Sequence, residues 1–153
     1  LAQALDCPVS DVDGVVIAAH SDTGMLPLMS KATRNGVPVT EFLDAEKQAY
    51  VEEETKVGGA TLTKLLGTSA WYAPGAAVSV MVQAILCDHK KMIPCSLILD
   101  GEYGESDICL GVPAIIGANG VEKIVEISLT DAEKEKFATA AKAVREVNGD
   151  LKF

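Results

Sequence analysis

The sequence contains no apolar run that approaches the roughly 18 residues a membrane span requires, and no charged-then-apolar start typical of a secretory signal peptide. It is also poor in basic residues. Its 13 lysines and arginines stand against 22 aspartates and glutamates, which gives a net charge of −9 at pH 7. Binding a phosphate backbone or an anionic membrane needs a basic face. We therefore expect neither nucleic acid nor a membrane as a partner.

Two kinds of short motif are missing as well. The chain has no Gly-x-Gly-x-x-Gly and no Gly-x-x-x-x-Gly-Lys, so by itself it offers no loop that cradles a nucleotide phosphate. It has no Cys-x-x-Cys either, and its four cysteines lie far apart, mostly in apolar context. Such cysteines are typical of reduced core thiols in a cytoplasmic protein, so we predict no disulfide framework and no metal site. They are Cys7, Cys87, Cys95 and Cys109.

The sequence contains enough apolar residues to form a hydrophobic core. A chain of 153 residues with 48% hydrophobic content predicts one compact domain. Helical patterns and an antiparallel meander occur without regular strand-helix-strand alternation, which predicts an α+β fold with an antiparallel sheet and long helices. The first strand signal covers residues 15–19, and the second half carries a strand opened by Pro94 and a hairpin at Asn119-Gly120.

Three helices are predicted. The first covers residues 44–66, with a break or kink at Gly58-Gly59 and a solvated acidic face at 52–54. The second has Pro74 at its start and apolar residues at helical spacing, which indicates a central buried helix preceded by two packed rings, Trp71 and Tyr72. The third begins with a capping box at Thr130 and carries an apolar stripe. The stripe is Phe137, Ala140, Ala141, Val144 and Val147.

His20, which ends the first strand signal, is the main candidate for chemistry. It could act as a general base or a metal ligand, but a hydrogen-bonded histidine without a chemical role is the more common case. Asp22 would share its strand face or cap the following turn. Ser21 suggests a hydrolase only weakly, because no Gly-x-Ser-x-Gly elbow is present. His89, beside lysines at a helix end, needs no explanation beyond the helix dipole.

Four blocks in register carry a resemblance to a known family. They are VVIAAHSDTGMLPL, KLLGTSAWYAPGAAV, MIPCSLILDGEYGESDICLGVPAIIGANGVEKI and LTDAEKEKF. In this order and spacing they resemble the C-terminal catalytic domain of the lactate/malate dehydrogenase family, and within it the bacterial malate dehydrogenases of the lactate-dehydrogenase-like type. The family usually reads Gly-Gly-His-Gly-Asp where this chain has residues 18–22, and Gly24 is an extra residue relative to many members.

The resemblance implies that His20 accepts the proton when malate is oxidised to oxaloacetate and a hydride passes to NAD. It further implies that Ser69 and Ala70 lie near the substrate and the nicotinamide. Relatives form dimers or tetramers, so the intact protein is expected to be a homo-oligomer. The orienting aspartate and the carboxylate-binding arginine of the family lie upstream of this domain, and neither Arg34 nor Arg145 occupies such a position.

Residues 1–153 are therefore expected to form a substrate-binding and catalytic domain whose NAD-binding domain lies N-terminal to Leu1. A chain of this extent is expected to be inactive alone. The alternatives are a lactate dehydrogenase of the same family, a non-catalytic binding or assembly module, and a hydrolase that depends on Ser21.

Overall fold

The computed structural model describes residues 1–21 and 23–151. Over these residues the chain forms eight strands and three α-helices, with short 3₁₀ turns between them. The strands are β1 (Val12–Asp13), β2 (Val16–Ala18), β3 (Met25–Pro27), β4 (Thr33–Arg34), β5 (Val37–Pro38), β6 (Lys91–Asp100), β7 (Ser106–Gly117) and β8 (Gly120–Ile124). The helices are α1 (Ala45–Leu66), α2 (Tyr72–Leu86) and α3 (Asp131–Gly149). All strand pairs described below are antiparallel, which confirms the α+β prediction.

The chain divides into two compact units. One unit contains Leu1–Val57 and the chain from Ser128 onward, and the other contains Gly58–Ile127. In the first unit, β1, β4 and β5 form a small sheet, β2 pairs with β3, and α3 packs against both strands of that pair. A separate apolar cluster of the same unit consists of Ala32, Val39, Leu43 and Val51.

Helix α3 confirms the sequence prediction closely. The Thr130 hydroxyl accepts the Glu133 N–H and the Glu133 carboxylate accepts the Thr130 N–H, so the capping box is complete. Phe137 is buried, as are Ala140 and Ala141. The apolar stripe therefore faces the core, although it ends before Val147, which is 66% exposed.

Helix α1 differs from its prediction at the two glycines. It runs without interruption through Gly58 and Gly59, and a Cβ added at either would meet nothing within 4 Å. Each glycine costs a helix about 1 kcal/mol relative to alanine. Propagation from the residues on either side outweighs that cost, because adding a residue to an existing helix is much easier than starting one. The predicted break is therefore wrong.

The second unit is built on a meander. Strand β6 pairs with β7 along its whole length, and β7 pairs with β8 across the predicted hairpin. Its tight turn consists of Ala118 and Asn119, with Gly120 at φ +84°, a conformation that glycine adopts without strain. Pro94 lies inside β6 rather than at its start, because β6 already begins at Lys91.

Helix α2 is not the central buried helix that its pattern predicts. Ala84 alone among its residues is buried, and it packs with Ala114 and Ile116 of β7. The helix is apolar on nearly all sides, so its sequence does not indicate which side is covered. The ring prediction is also wrong, since Trp71 is 58% and Tyr72 81% exposed. The exposed large apolar residues of α2 are Tyr72, Val78, Val80, Val82 and Leu86.

None of the four cysteines is fully buried, although Cys95 packs against the cluster of Ala84, Ala114 and Ile116. All four are free thiols; Cys87 and Cys109 are exposed, and Cys7 and Cys95 are partly buried. Burial raises the pKa of the Cys95 thiol, which donates to the Ile93 carbonyl over 3.2 Å. For Cys95 and Cys109, apolar neighbours in sequence did not indicate full burial, because strand residues alternate between two faces.

Candidate functional site

His20 lies in a short connection between two buried strands. Strand β2 ends at Ala18 and β3 begins at Met25, and these two residues are paired in the register. The His20 side chain is exposed, so a small molecule can reach the ring. Asp22, predicted to share a face with His20 or to cap the turn, lies outside the described residues.

The backbone entering this connection is strained. Ala18 is buried at 4% exposure and has φ +72°, in the left-handed region. A non-glycine residue there costs on the order of 1–3 kcal/mol and persists only where its surroundings impose it. The resembled pattern has glycine at this position, which relieves that cost. The strand therefore keeps a glycine-like bend two residues before His20 although it carries alanine.

Ser21 supplies a cap for the turn that follows His20. Its hydroxyl oxygen accepts the Gly24 N–H over 3.0 Å. Its carbonyl accepts the N–H groups of Gly24 over 3.2 Å and Met25 over 2.9 Å. A serine whose oxygen is committed to its own turn is explained structurally. The geometry offers no support for a hydrolase that depends on Ser21.

Glu133 connects α3 to the segment just after β3. Its Oε1 accepts the Ser30 hydroxyl over 2.7 Å, and its Oε2 accepts the Thr130 N–H over 2.8 Å. Burial raises the pKa of the Glu133 carboxyl, but these hydrogen bonds outweigh burial and hold the pKa below its ordinary value. The capping box is visible in the sequence. The Ser30 contact is not, because the two residues lie 103 positions apart.

A small ion cluster lies beside a cavity that reaches the His20 connection. The cavity, of about 400 Å³, is lined by Thr23 and Gly24 and by residues of α1 and α3. Glu52 Oε1 accepts from Lys56 over 3.0 Å and from Lys136 over 2.7 Å. Its side chain is only 17% exposed, so the prediction of a wholly solvated acidic face at 52–54 is wrong for Glu52.

The pKa of Glu52 reflects two opposed effects. Burial raises the pKa of its carboxyl, whereas hydrogen bonds from Lys136 and Lys56 and the charges of these lysines lower it. The net direction is downward. Both lysines that line the cavity are thus paired with the same carboxylate.

The structure places the other two predicted site residues in the second unit. Ser69 and Ala70 lie in the connection between α1 and α2; Ser69 is exposed and Ala70 partly buried. The Ser69 carbonyl accepts the Trp71 N–H over 3.1 Å. His20 belongs to the first unit. The predicted set is therefore divided between the two units.

The remaining candidates have local structural roles. Arg34 lies in β4, with its guanidinium carbon 5.9 Å from the centre of the Phe42 ring. His89, just after α2, is exposed, and its backbone N–H donates to the Ala84 carbonyl over 2.9 Å. Within residues 1–21 and 23–151, no group of three or more His, Cys, Asp or Glu side chains is arranged to hold a metal ion. Within the same residues, no helix is long and apolar enough to span a membrane.

Comparisons with known proteins give one consistent result. The family model of the lactate/malate dehydrogenase α/β C-terminal domain matches residues 1–150. A malate dehydrogenase of Bacteroides thetaiotaomicron is 61% identical over 99% of this chain and 49% of its own length. The solved malate dehydrogenase of Aeropyrum pernix superposes with a TM-score of 0.94 at 38% identity, over 99% of this chain and 50% of its own.

The fold is also that of solved lactate dehydrogenases. The Eimeria maxima enzyme, solved with NADH and oxamate, is 37% identical with a TM-score of 0.91, over 97% of this chain and 48% of its own. The chain thus spans about half the length of the relatives it matches.

Proposed function

The chain belongs to the lactate/malate dehydrogenase family as its α/β C-terminal domain, and on that premise we propose that it is the catalytic half of an NAD-dependent malate dehydrogenase. The observation that carries the proposal is His20. It has an exposed ring at the end of a buried strand, within a chain 61% identical to a protein named malate dehydrogenase. The residues 1–153 then act as the substrate-binding and catalytic domain.

The role of His20 is to take the hydroxyl proton of malate. As the 2-hydroxyl becomes a carbonyl, its proton passes to a nitrogen of the neutral imidazole ring, and the proton returns in the reverse direction. An imidazole suits both directions because it titrates near neutral pH. NAD, when bound, supplies the acceptor for the hydride that leaves C2. Ser69 and Ala70 flank the substrate and the nicotinamide in this proposal.

The remaining parts of the reaction are assigned outside this chain. The sequence has no glycine-rich phosphate loop, and the family resemblance implies that a separate domain holds the nucleotide phosphates. The substrate carboxylate requires the planar fork of an arginine, and by the family resemblance neither Arg34 nor Arg145 occupies such a position. The resemblance implies that this arginine, and an aspartate that orients His20, belong to a helix leading into this domain. We therefore expect the chain alone to be inactive, and the resemblance implies that the intact enzyme is a dimer or tetramer.

The test is His20→Asn in the protein that carries this domain together with its nucleotide-binding domain. Asparagine keeps a polar group at this position but cannot take the proton, so we expect kcat to fall by at least about 10²-fold while the Kd for NAD stays the same. His89→Asn is the matched control and should leave kcat unchanged, because His89 lies outside the proposed site. Normal turnover by the His20 variant would refute the assignment.

A lactate dehydrogenase remains the second candidate, favoured by the similarity to the Eimeria maxima enzyme. Rates with oxaloacetate and with pyruvate, measured side by side with NADH, separate the two. We expect oxaloacetate to be reduced faster, in line with the relatives named malate dehydrogenase. No turnover of either compound would favour a non-catalytic binding module.

A further inference from the structure

The connection that carries His20 is closed by hydrogen bonds that end on the two residues flanking it. On one side, the Ala19 N–H donates to the Gly24 carbonyl over 3.1 Å. On the other side, the Ser21 hydroxyl oxygen accepts a hydrogen bond from the Gly24 N–H over 3.0 Å. The Ser21 carbonyl accepts hydrogen bonds from the N–H groups of Gly24 and Met25. Gly24 is therefore bonded to the neighbours of His20 both before and after it.

Gly24 also approaches both flanking residues too closely for any side chain. A Cβ added at Gly24 would lie 2.7 Å from the Ala19 Cβ and 2.8 Å from the Ser21 hydroxyl oxygen. Contacts below 3.0 Å essentially never occur for real Cβ atoms. Because Gly24 is buried and its φ is not left-handed, space rather than backbone conformation requires glycine here.

These contacts restrict where the His20 backbone can lie. Ala19 and Ser21 are covalently joined to His20, and each is held against Gly24 by a hydrogen bond and close packing. Two of the departures from the family pattern, serine at position 21 and the extra glycine at position 24, are thus the two partners in one hydrogen bond. The hydroxyl of Ser21 closes a turn that the additional residue makes longer.

We propose that Ser21 and Gly24 are positioning residues for His20: together they fix the backbone that presents the imidazole to the substrate. The proposal rests on the proposed function, in which His20 accepts the proton. Proton transfer depends steeply on geometry, and a displacement of about 1 Å can cost about 10²-fold in rate. In the proposed function a separate domain holds the nucleotide phosphates, so we expect substitutions in this connection to leave cofactor binding unchanged.

The experiment compares three variants in the protein that carries this domain and its nucleotide-binding domain. Ser21→Ala removes the hydroxyl acceptor but keeps the carbonyl bonds, so we expect kcat to fall about threefold to tenfold with KM for NAD unchanged. Ser21→Thr keeps the acceptor and should restore most of kcat. Gly24→Ala should lower kcat further, by about 10²-fold, because its Cβ displaces Ala19 and Ser21.

A histidine NMR resonance provides a readout independent of turnover. The ring resonance lost in His20→Asn identifies His20, and it should shift in Ser21→Ala and return toward its position in Ser21→Thr. The control is Ser10→Ala, which makes the same change at an exposed serine whose hydroxyl donates to its neighbour Asp11. It should change neither kcat nor the resonance.

Each outcome separates the two proposals. If His20→Asn abolishes turnover but Ser21→Ala and Gly24→Ala leave both kcat and the resonance as in the unmodified protein, positioning by Ser21 and Gly24 is wrong and the function stands. If the resonance shifts as expected but His20→Asn turns over normally, the function is wrong and the structural role of the pair stands. Loss of kcat in Ser21→Thr equal to that in Ser21→Ala would also refute a role for the hydroxyl acceptor.

Discussion

Helices α3 and α2 carry similar sequence signals and have opposite surroundings. Both show apolar residues at helical spacing, and both were predicted to bury them. Helix α3 buries Phe137 at 2% exposure and begins with a complete capping box. Helix α2 leaves Val78 60% and Leu86 79% exposed and has no side-chain cap at its start.

The difference shows what an apolar pattern determines. Charged residues mark the outer side of α3, so its sequence specifies both the helix and the face that is buried. In α2, residues 72–86 include no charged side chain, and the pattern specifies a helix without an inner side. The contrast predicts that equal truncations in the two helices will have very different effects on stability.

The largest effect is expected for Phe137→Ala in α3. It removes a ring that is almost fully buried and leaves a cavity, which costs about 3–5 kcal/mol of unfolding free energy. Leu86→Ala in α2 is the matched truncation at an exposed position and should stay within about 0.5 kcal/mol. Urea unfolding monitored by circular dichroism measures both, and equal losses would mean that Leu86 is buried in solution.

The next largest change in stability is expected from substitutions at the N-terminal end of each helix. Thr130→Ala removes the acceptor for the Glu133 N–H and should cost about 1 kcal/mol. Trp71→Ala at the start of α2 removes no capping bond and should change stability by at most about 0.5 kcal/mol. The same urea titrations compare the two. A cost at Trp71 as large as at Thr130 would show that the ring packs.

A gain in stability is expected in α1. Gly58→Ala places a methyl group in open space within an uninterrupted helix, so it should stabilise the protein by about 0.5–1 kcal/mol. Gly36→Ala is the control with the opposite sign, because Gly36 has φ +82° and alanine is strained there. Thermal unfolding measures both shifts, and a lower Tm for Gly58→Ala would favour the break predicted from sequence.

The smallest effect concerns pH. The pKa of Glu133 is held below its ordinary value of 4.5 in the folded protein. Its stabilising contribution is therefore fully present above that ordinary value and is lost as the pH falls through the lower, folded value. We expect Ser30→Ala, which removes one hydrogen-bond donor, to make the loss of stability less steep as the pH is lowered from neutral through 4.5 and below. Urea midpoints across this range measure it, and an unchanged slope would contradict the role of Ser30.

The sequence by itself determined the family, the α+β class, the strand before His20, the hairpin before Gly120 and the capping box at Thr130. The strand, the hairpin and the capping box each rest on a short-range rule, such as alternation, turn chemistry or a four-residue cap, that acts within one segment. The family rests on four sequence blocks in register. His20 was singled out in the same way, by its place at the end of a β-branched run and within the family blocks.

Tertiary structure alone decided which apolar surfaces are covered and which polar groups meet. The Ser30–Glu133 hydrogen bond and the Glu52–Lys136 ion pair each join residues that are far apart in sequence. The exposure of α2 likewise depends on which distant segments cover it. The close approach of Gly24 to both neighbours of His20 depends on how the connection between β2 and β3 closes. The burial of a side chain and its distance from distant segments depend on how the whole chain packs. A local sequence pattern limits the possibilities but does not select one of them.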